Sequence, residues 1–211
     1  MILIYDMVYS PYCAKVRKLM DYKRLRYRAI PVPYHDKERL LRDTGQDYVP
    51  FLRNGRDRVP YVEAVDYLDR IRPMPSAYPD GTREVCRVLE SWEYDWFEDR
   101  AWALVAPYLE RRFADPVERW NFTEYWERAY GPFDDARKDP KPLWDALHPA
   151  FSMLEDCLRK RDWLVTTAPT AFDFAIYGDI FAMDYAGLRL PAKYPRLRRW
   201  YRRVHRIGRR P

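Results

Sequence analysis

The chain has few residues that could cross-link it or hold a metal ion. Its cysteines are Cys13, Cys86 and Cys157, and its histidines are His35, His148 and His205. An odd number of scattered cysteines is not typical of a disulfide framework. The histidines are far apart and have no cysteine at the spacing of zinc sites, so we expect no metal.

Long apolar runs are also missing. No stretch approaches the about 20 apolar residues that a membrane-spanning helix needs. The apolar start, residues 2–8, already contains Asp6, and it is too short and too soon acidic for a signal peptide. We therefore expect a cytoplasmic protein that does not act in a membrane.

Aromatic residues and arginine are abundant instead. The 211 residues include 8 Trp, 18 Tyr and 9 Phe, and 47% of the chain is hydrophobic, which is enough for a substantial core. The formal net charge is +6, from 38 basic and 32 acidic residues. This balance only weakly suggests anionic partners, since most charges are expected on solvated helix faces.

The first 72 residues alternate between strand and helix patterns. Short apolar runs predict strands, and apolar positions at helical spacing predict helices, in which Leu68 and Ile71 should face inward. The predicted strands are 2–8, 26–32, 48–52 and 57–62, and the predicted helices are 11–23, 36–43 and 63–72. The order β-α-β-α-β-β-α predicts an α/β sandwich with a parallel pair of strands at its centre.

A proline-rich linker then separates two kinds of pattern. Residues 73–82 hold three prolines and a glycine, and every later segment has helical spacing. The predicted helical segments are 83–113, 116–130, 142–161, 170–186 and 194–206. We therefore predict an α/β domain over 1–73, a linker over 74–82 and an all-helical bundle over 83–211.

Four local motifs accompany this layout: Ser10-Pro11-Tyr12-Cys13 followed by Val16-Arg17, then Val49-Pro50, Thr170-Ala-Phe-Asp173, and a tail from Leu190 to Tyr201. Serine caps helices well and proline suits their first position. Thr170 and Asp173 form the pattern of a capping box. Together, layout and motifs resemble the glutathione transferase family, which combines a thioredoxin-like α/β N-terminal domain with an all-α helical-bundle C-terminal domain.

The resemblance implies that glutathione is a cosubstrate whose thiolate attacks a small hydrophobic electrophile or reduces a peroxide or disulfide. Ser10 takes the position of the thiol-activating group. A helix N-terminus lowers the pKa of a thiol, which is near 8.5 when free, and the Ser10 hydroxyl could donate a hydrogen bond to the thiolate. The alternative is that Ser10 only caps its helix.

Three neighbours of Ser10 are further candidates. Cys13 is either a reactive thiol or a small buried hydrophobic residue. Tyr12 and Tyr9 could assist the thiolate, although packing is an equally simple role in a chain with 18 tyrosines. Arg17 is expected to form a structural ion pair.

The family resemblance also implies how glutathione is bound. Pro50 should be cis, with the backbone of Val49 offered to the peptide-like middle of glutathione. The glutamyl pocket falls on Glu63-Ala64 in the register that we favour, or on Pro60-Tyr61 in the ungapped register. Both registers lack the usual serine hydroxyl, and one lost charge-assisted hydrogen bond costs roughly 1.5–3 kcal/mol.

Two segments have open interpretations. The aromatic segment 92–130 either lines a substrate pocket or forms ordinary bundle core. The arginine-rich stretch 196–210 either binds anions or is a solvated face behind an inner face of Leu197, Trp200, Tyr201 and Val204. We favour the solvated face and expect no nucleic-acid partner.

Family members usually form homodimers, and we expect one here. The competing hypothesis is a non-catalytic binding or regulatory protein that has lost normal glutathione binding, which the missing serine hydroxyl and the arginine-rich tail favour. A different low-molecular-weight thiol as cosubstrate is a third possibility.

Overall fold

The computed structural model describes residues 1–208, and its first part is a four-stranded sheet flanked by three helices. The strands are β1 (Ile2–Asp6), β2 (Tyr27–Pro31), β3 (Phe51–Asn54) and β4 (Asp57–Pro60), and the helices are α1 (Pro11–Tyr22), α2 (Glu38–Thr44) and α3 (Tyr61–Ile71). The thioredoxin-like α/β prediction is confirmed. The predicted helical domain extends to residue 211, and its last three residues lie outside the described part of the chain.

Strand order in the sheet is β2-β1-β3-β4. β1 is parallel to β2 and antiparallel to β3, and β4 is antiparallel to β3. The predicted parallel pair therefore exists, but its predicted place at the centre is wrong, because β2 is an edge strand. The other edge strand is β4.

The two faces of the sheet are covered by different helices. Ile4 and Leu52 are buried in the cluster that contains α1 and α3. Tyr5 follows Ile4 in β1, and Phe51 precedes Leu52 in β3. These two residues form a separate cluster with Leu40 of α2. This alternation follows from the period of two in a strand, which sends successive side chains to opposite faces.

The start of α3 differs from the prediction by two residues. Asn54 pairs with Asp57, so the hairpin closes through Gly55 and one further residue, and Gly55 has the positive φ of 61° that such a turn requires. β4 consequently ends at Pro60 and α3 begins at Tyr61. Ile71, expected to face inward, is 37% exposed because it is the last residue of the helix.

The second part of the described chain is helical. It contains α4 (Arg83–Trp92), α5 (Asp99–Leu109), α6 (Pro116–Tyr130), α7 (Phe133–Lys138), α8 (Lys141–Cys157), α9 (Ala171–Tyr185) and α10 (Pro195–Arg206). The sequence did not predict the short α7 or the π-helical segment Glu93–Glu98 that joins α4 to α5. Within residues 1–208, no helix combines the length and apolar character needed to cross a membrane.

Local caps were predicted accurately. Thr170 accepts a hydrogen bond from the Asp173 amide, and the Thr170 amide donates to Asp173 at 2.9 Å, so the capping box at the start of α9 is confirmed. Asp173 is fully buried and also accepts hydrogen bonds from Leu164 and from the Trp200 indole. One carboxylate thereby fixes α9, the loop before it and α10.

The two domains meet where α1 packs on α9. Among the described helices, α9 is the one that α1 contacts most extensively. Gly178 of α9 lies against the backbone of Pro11, in the first turn of α1. A Cβ at residue 178 would lie 2.3 Å from the Pro11 carbonyl oxygen and 2.9 Å from its carbon. Glycine is therefore required at residue 178 for the two helices to approach this closely.

We predict that Gly178→Ala destabilises the protein by about 1–3 kcal/mol, the usual cost of overpacking a close contact. The substitution would otherwise favour helix formation by about 1 kcal/mol, so the sign of the change tests the contact. The measurement is the free energy of unfolding in urea.

Ala146→Gly, at an exposed position inside α8, is the matched control. It should lose about 1 kcal/mol, showing that a Cβ is favourable where there is room for it. An unchanged or increased stability of Gly178→Ala would contradict the predicted clash.

Candidate active site

Three chain segments meet at one edge of the sheet. The C-terminal end of β1 leads through residues 7–9 to Ser10 and the start of α1. Tyr5 pairs with Phe51, so the cis Val49-Pro50 peptide immediately before β3 lies beside the end of β1. Phe51 also pairs with Pro60, which brings the start of α3 to the same edge. The expected cis Pro50 is present.

Ser10 is the N-cap of α1. It is only 7% exposed, and its hydroxyl accepts a hydrogen bond from the Cys13 amide at 3.3 Å. The predicted capping role is therefore present. A hydroxyl that accepts one hydrogen bond still has a hydrogen to donate, so capping does not exclude a hydrogen bond to a thiolate.

Arg17 fixes the loop before Ser10. Its guanidinium forms an ion pair with Asp6 at the end of β1 and donates to the Val8 carbonyl at 2.7 Å. The expected structural role of Arg17 is thus confirmed. Because one guanidinium holds both Asp6 and Val8, it limits the movement of the chain that leads to Ser10.

Cys13 does not reach any open surface. Its side chain is fully buried, and burial, with a further contribution from Asp6, raises the pKa of the thiol well above its usual range. The thiol is therefore protonated and shielded. This placement argues against the predicted reactive role and corresponds to the alternative of a small buried residue.

Tyr12 faces the helical domain. Its hydroxyl donates to Glu98 at 2.5 Å, and its ring packs edge-on against Tyr61 with the centroids 4.7 Å apart. Burial and the Glu98 carboxylate raise the pKa of the Tyr12 phenol, which remains neutral. Tyr12 thus connects the starts of α1 and α3 to the segment between α4 and α5.

The π-helical segment supplies carboxyl groups to this contact. Its hydrogen bonds join residues five apart, so Glu93 and Glu98 lie on the same side, toward α1. Burial raises the pKa of Glu93, and it raises that of Glu98 to about 7. Lys15 of α1 forms an ion pair with Glu90 at 3.1 Å and supplies the nearby positive charge.

Tyr9 lies on the other side of the β1–α1 loop, in a cleft of about 470 Å³ between the domains. Burial raises the pKa of its phenol, and its ring packs edge-on against Phe113 at 5.3 Å. The apolar lining includes Val8, Val32, Pro33, Leu109, Phe113 and Tyr185. Arg112 and Glu118 are the charged groups that the helical domain contributes to it.

The aromatic segment 92–130 contributes both to a cleft wall and to the packing of the helical bundle. Phe113 lines the cleft, whereas Phe122 is fully buried behind it, 4.9 Å from the Phe113 ring. Trp126 stacks on Tyr130 within the helical domain. Some of these rings are therefore bundle core, others such as Trp120 are exposed, and the middle of the segment, around Phe113, forms the cleft wall.

The start of α3 corrects the favoured register for the glutamyl pocket. Pro60 is the N-cap and Tyr61 the first helical residue, as in the ungapped register. Glu63 is exposed within the first turn, and Ala64 is fully buried in the core, where it cannot contact a ligand. No side chain caps α3, so its first backbone N–H groups face outward from the helix end without a capping acceptor.

Sequence reasoning missed the contributions of Val32, Pro33, Arg112 and Tyr185 to the cleft. They follow β2 or lie at helix ends, and no local pattern marks them. Within residues 1–208, no group of three His, Cys, Asp or Glu side chains could hold a metal ion.

We predict that the half-buried Glu98 makes the stability of the fold decrease as the pH rises. Its pKa is about 7 when folded and near 4.5 when unfolded, so the folded state holds the proton more tightly. The free energy of unfolding should therefore decrease between about pH 4.5 and pH 7. Glu98→Gln, which mimics the protonated group, should gain on the order of 1–3 kcal/mol over the original chain across this range, measured by urea unfolding.

Asp95→Asn removes the same charge from an exposed position of the same segment. Its stability difference from the original chain should stay constant over the same pH range. If the free energy of unfolding had the same pH dependence in Glu98→Gln and in the original chain, Glu98 would not be the group that makes stability decrease with pH.

Comparison with known proteins places this geometry in a family. Residues 4–76 match the family model for the glutathione S-transferase N-terminal domain, and residues 94–203 match that for the glutathione S-transferase C-terminal domain. No curated protein sequence matches the chain significantly.

Solved structures share the fold over nearly the whole chain. A glutathione S-transferase from Rhodospirillum rubrum F11 is 24% identical, with 97% of this chain and 87% of that one covered and a TM-score of 0.75. One from Ceriporiopsis subvermispora in complex with glutathione is 18% identical, with 99% and 98% covered and a TM-score of 0.81. Glutaredoxin 2 from Salmonella typhimurium in complex with glutathione is 18% identical, with 98% and 95% covered and a TM-score of 0.76.

Both family matches lie in the order that the domains have in the structure, and the helical match alone spans more than half of the chain. The chain therefore belongs to the glutathione S-transferase family.

Proposed function

We propose that this protein is a glutathione transferase that uses the glutathione thiolate to attack, or to reduce, a small hydrophobic electrophile. The observation that carries the proposal is the position of Ser10. It caps α1 at the sheet edge that holds cis Pro50, and the preceding residue, Tyr9, lines the interdomain cleft. Thiol activation and substrate binding would thus occur on adjacent residues.

In this proposal, glutathione lies along the sheet edge. The Val49 backbone would bind its peptide-like middle, next to Pro50. Its sulfur would lie near the start of α1, where the helix dipole and a hydrogen bond donated by Ser10 favour the thiolate. Two neighbours of the same fold are in complex with glutathione, which supports glutathione as the ligand.

The glutamyl carboxylate needs an anchor other than a serine hydroxyl. We propose that the uncapped backbone N–H groups at the start of α3 accept it, since a helix N-terminus favours a carboxylate. Glu63, exposed in the first turn, would contact the glutamyl amino group. Tyr61 stands where the serine would be, and its ring packs on Tyr12.

The cleft supports a hydrophobic electrophile as the second substrate. Its walls are mainly aliphatic and aromatic, and its volume of about 470 Å³ suits a small organic molecule. The neutral Tyr9 phenol could donate a hydrogen bond to the electrophile or to its leaving group. Arg112 would favour a substrate with an acidic or electron-rich substituent.

A non-catalytic binding protein remains the second candidate, and two observations favour it. The Ser10 hydroxyl is nearly buried and already accepts a hydrogen bond from the Cys13 amide. Pro60 and Tyr61 also replace the pair that usually holds the glutamyl group. Calorimetry with glutathione distinguishes the candidates, because the second one predicts no binding.

We also propose a cytoplasmic homodimer. Val62 of α3 and Val88 of α4 are 79% and 71% exposed, and Val85 lies one turn before Val88. An ion pair of 3.1 Å between Arg87 and Asp66 ties α4 to α3 beside them. Exposed valines on adjoining helices are typical of a surface that a second subunit covers. The free cysteines support a reducing compartment.

We predict that Ser10→Ala lowers kcat/KM with a generic aryl halide by about 10- to 100-fold, the worth of one hydrogen bond to a charged group. The pKa of bound glutathione, followed by thiolate absorbance, should rise toward the free value near 8.5. Steady-state kinetics at a pH below that value give the largest difference.

Ser10→Thr is the matched control, since threonine keeps both the cap and the hydroxyl. It should retain most of the activity and a low thiol pKa, while both variants are checked for folding by urea unfolding. If the thiol of bound glutathione had the same pKa in the original chain and in Ser10→Ala, Ser10 would not be the group that activates it.

For the dimer, Val88→Glu should shift sedimentation from the dimer to the monomer, because it places a charge in the apolar contact. Val117→Glu, on exposed α6, is the control and should leave the dimer intact. A dimeric Val88→Glu protein would locate the interface elsewhere.

A further inference from the structure

A second concave site lies where the end of α8 and the loop after it meet α10, away from the sheet edge that carries Ser10. It is a groove of about 530 Å³. Six cationic side chains line it, together with a single carboxylate, that of Asp162. The six are Arg159, Lys160, Arg161, Arg196, Arg199 and Arg203. We call it the basic groove.

The charges of the basic groove are only partly neutralised. Arg159, Arg196 and Arg203 pair with Asp156, Glu155 and Asp162 at 2.6, 3.1 and 2.6 Å. Lys160 and Arg199 have no carboxylate within 4.0 Å in the part of the chain from 1 to 208. An excess of positive charge therefore remains inside one concavity.

Arg161 adds a third unneutralised charge, held in a fixed position. Its Nε donates to the Cys157 carbonyl at 3.0 Å and one Nη to the Val165 carbonyl at 2.5 Å. These bonds orient the guanidinium without cancelling its charge, because both acceptors are neutral. A guanidinium positioned in this way is well suited to a planar contact with phosphate oxygens.

The fold does not need this density of arginine. α10 is anchored by Leu197, Trp200 and Val204, which are all buried. Like charges three or four residues apart, such as Arg196 with Arg199 and Arg199 with Arg203, weaken an isolated helix by about 0.2–0.5 kcal/mol each. Arg199, which has no carboxylate partner among the described residues, therefore does not favour the helix that carries it, which argues for a role beyond stability.

The site consists of side chains and not of a helix end. The first backbone N–H groups of α10, those of Arg196 and Leu197, already donate to Glu155 at 3.1 and 2.8 Å. A ligand would thus be held by Lys160, Arg161 and Arg199. Three separate cations around one groove match several phosphate groups better than a single carboxylate.

We propose that the basic groove binds a compact, multiply charged phosphate compound, such as a triphosphate group. The cations line one groove, which favours a short polyanion over an extended one. A nucleic-acid strand would instead also use Arg198 and Arg202, which line a different depression on the other side of α10. None of the residues that line the basic groove belongs to the sheet edge that carries Ser10.

The experiment is titration calorimetry of the full chain with inorganic triphosphate at low ionic strength. The original chain should bind one triphosphate, and affinity should fall as salt increases. The double variant Lys160→Ala/Arg199→Ala should bind triphosphate at least about tenfold more weakly, since it removes two charge-assisted contacts. Urea unfolding confirms that the variant is folded.

The matched control is Arg198→Ala/Arg202→Ala, which removes the same charge from the same helix outside the groove. Measured at about 0.15 M ionic strength, where the Debye length is about 8 Å, this control should change triphosphate affinity by less than about threefold, because its charges lie outside the groove and are screened. Absence of triphosphate binding by the original chain overturns the proposal. Equal weakening of triphosphate binding in both double variants also overturns the proposal. So does tighter binding of a single-stranded oligonucleotide than of triphosphate, if both double variants weaken it, because the whole helix would then be a surface for extended polyanions.

Discussion

The close approach of α9 to α1 at Gly178 is the constraint on which the rest of the structure depends. The start of α1 carries Ser10, and α9 runs through the centre of the helical domain, so this single contact sets the position of Ser10 relative to the cleft. Asp173 fixes the other end of α9 by its bonds to the capping residue, the preceding loop and α10. The sheet edge that carries Ser10 is thus supported from within the second domain.

Polar groups make the same boundary specific. Tyr12 and Lys15, both on α1, bond to Glu98 and Glu90 of the helical domain. Burial raises the pKa of Glu98, and carboxyl groups removed from water are costly unless they are paired or protonated, so these contacts favour one relative placement of the domains. Apolar packing brings the domains together, and the polar contacts determine their alignment.

Local rules predicted the parts of the site that depend on few neighbouring residues. Ser10 before proline and the Thr170–Asp173 box are such cases, because a cap is formed within one turn. The start of α3 was missed because it depends on how tightly the β3–β4 hairpin closes. The burial of Cys13 and the contribution of Arg112 to the cleft depend on packing between distant segments, which no local pattern encodes.

The π-helical segment between α4 and α5 has a consequence for comparing relatives of this protein. At about 100° per residue, an α-helix would turn Glu98 about 140° away from Glu93. A relative with one residue fewer in 93–98 would place the two acids four apart in a regular α-helix, again on one face. A single-residue gap in an alignment at this point would therefore preserve the acidic contact with α1, whereas an ungapped comparison would pair the wrong residues.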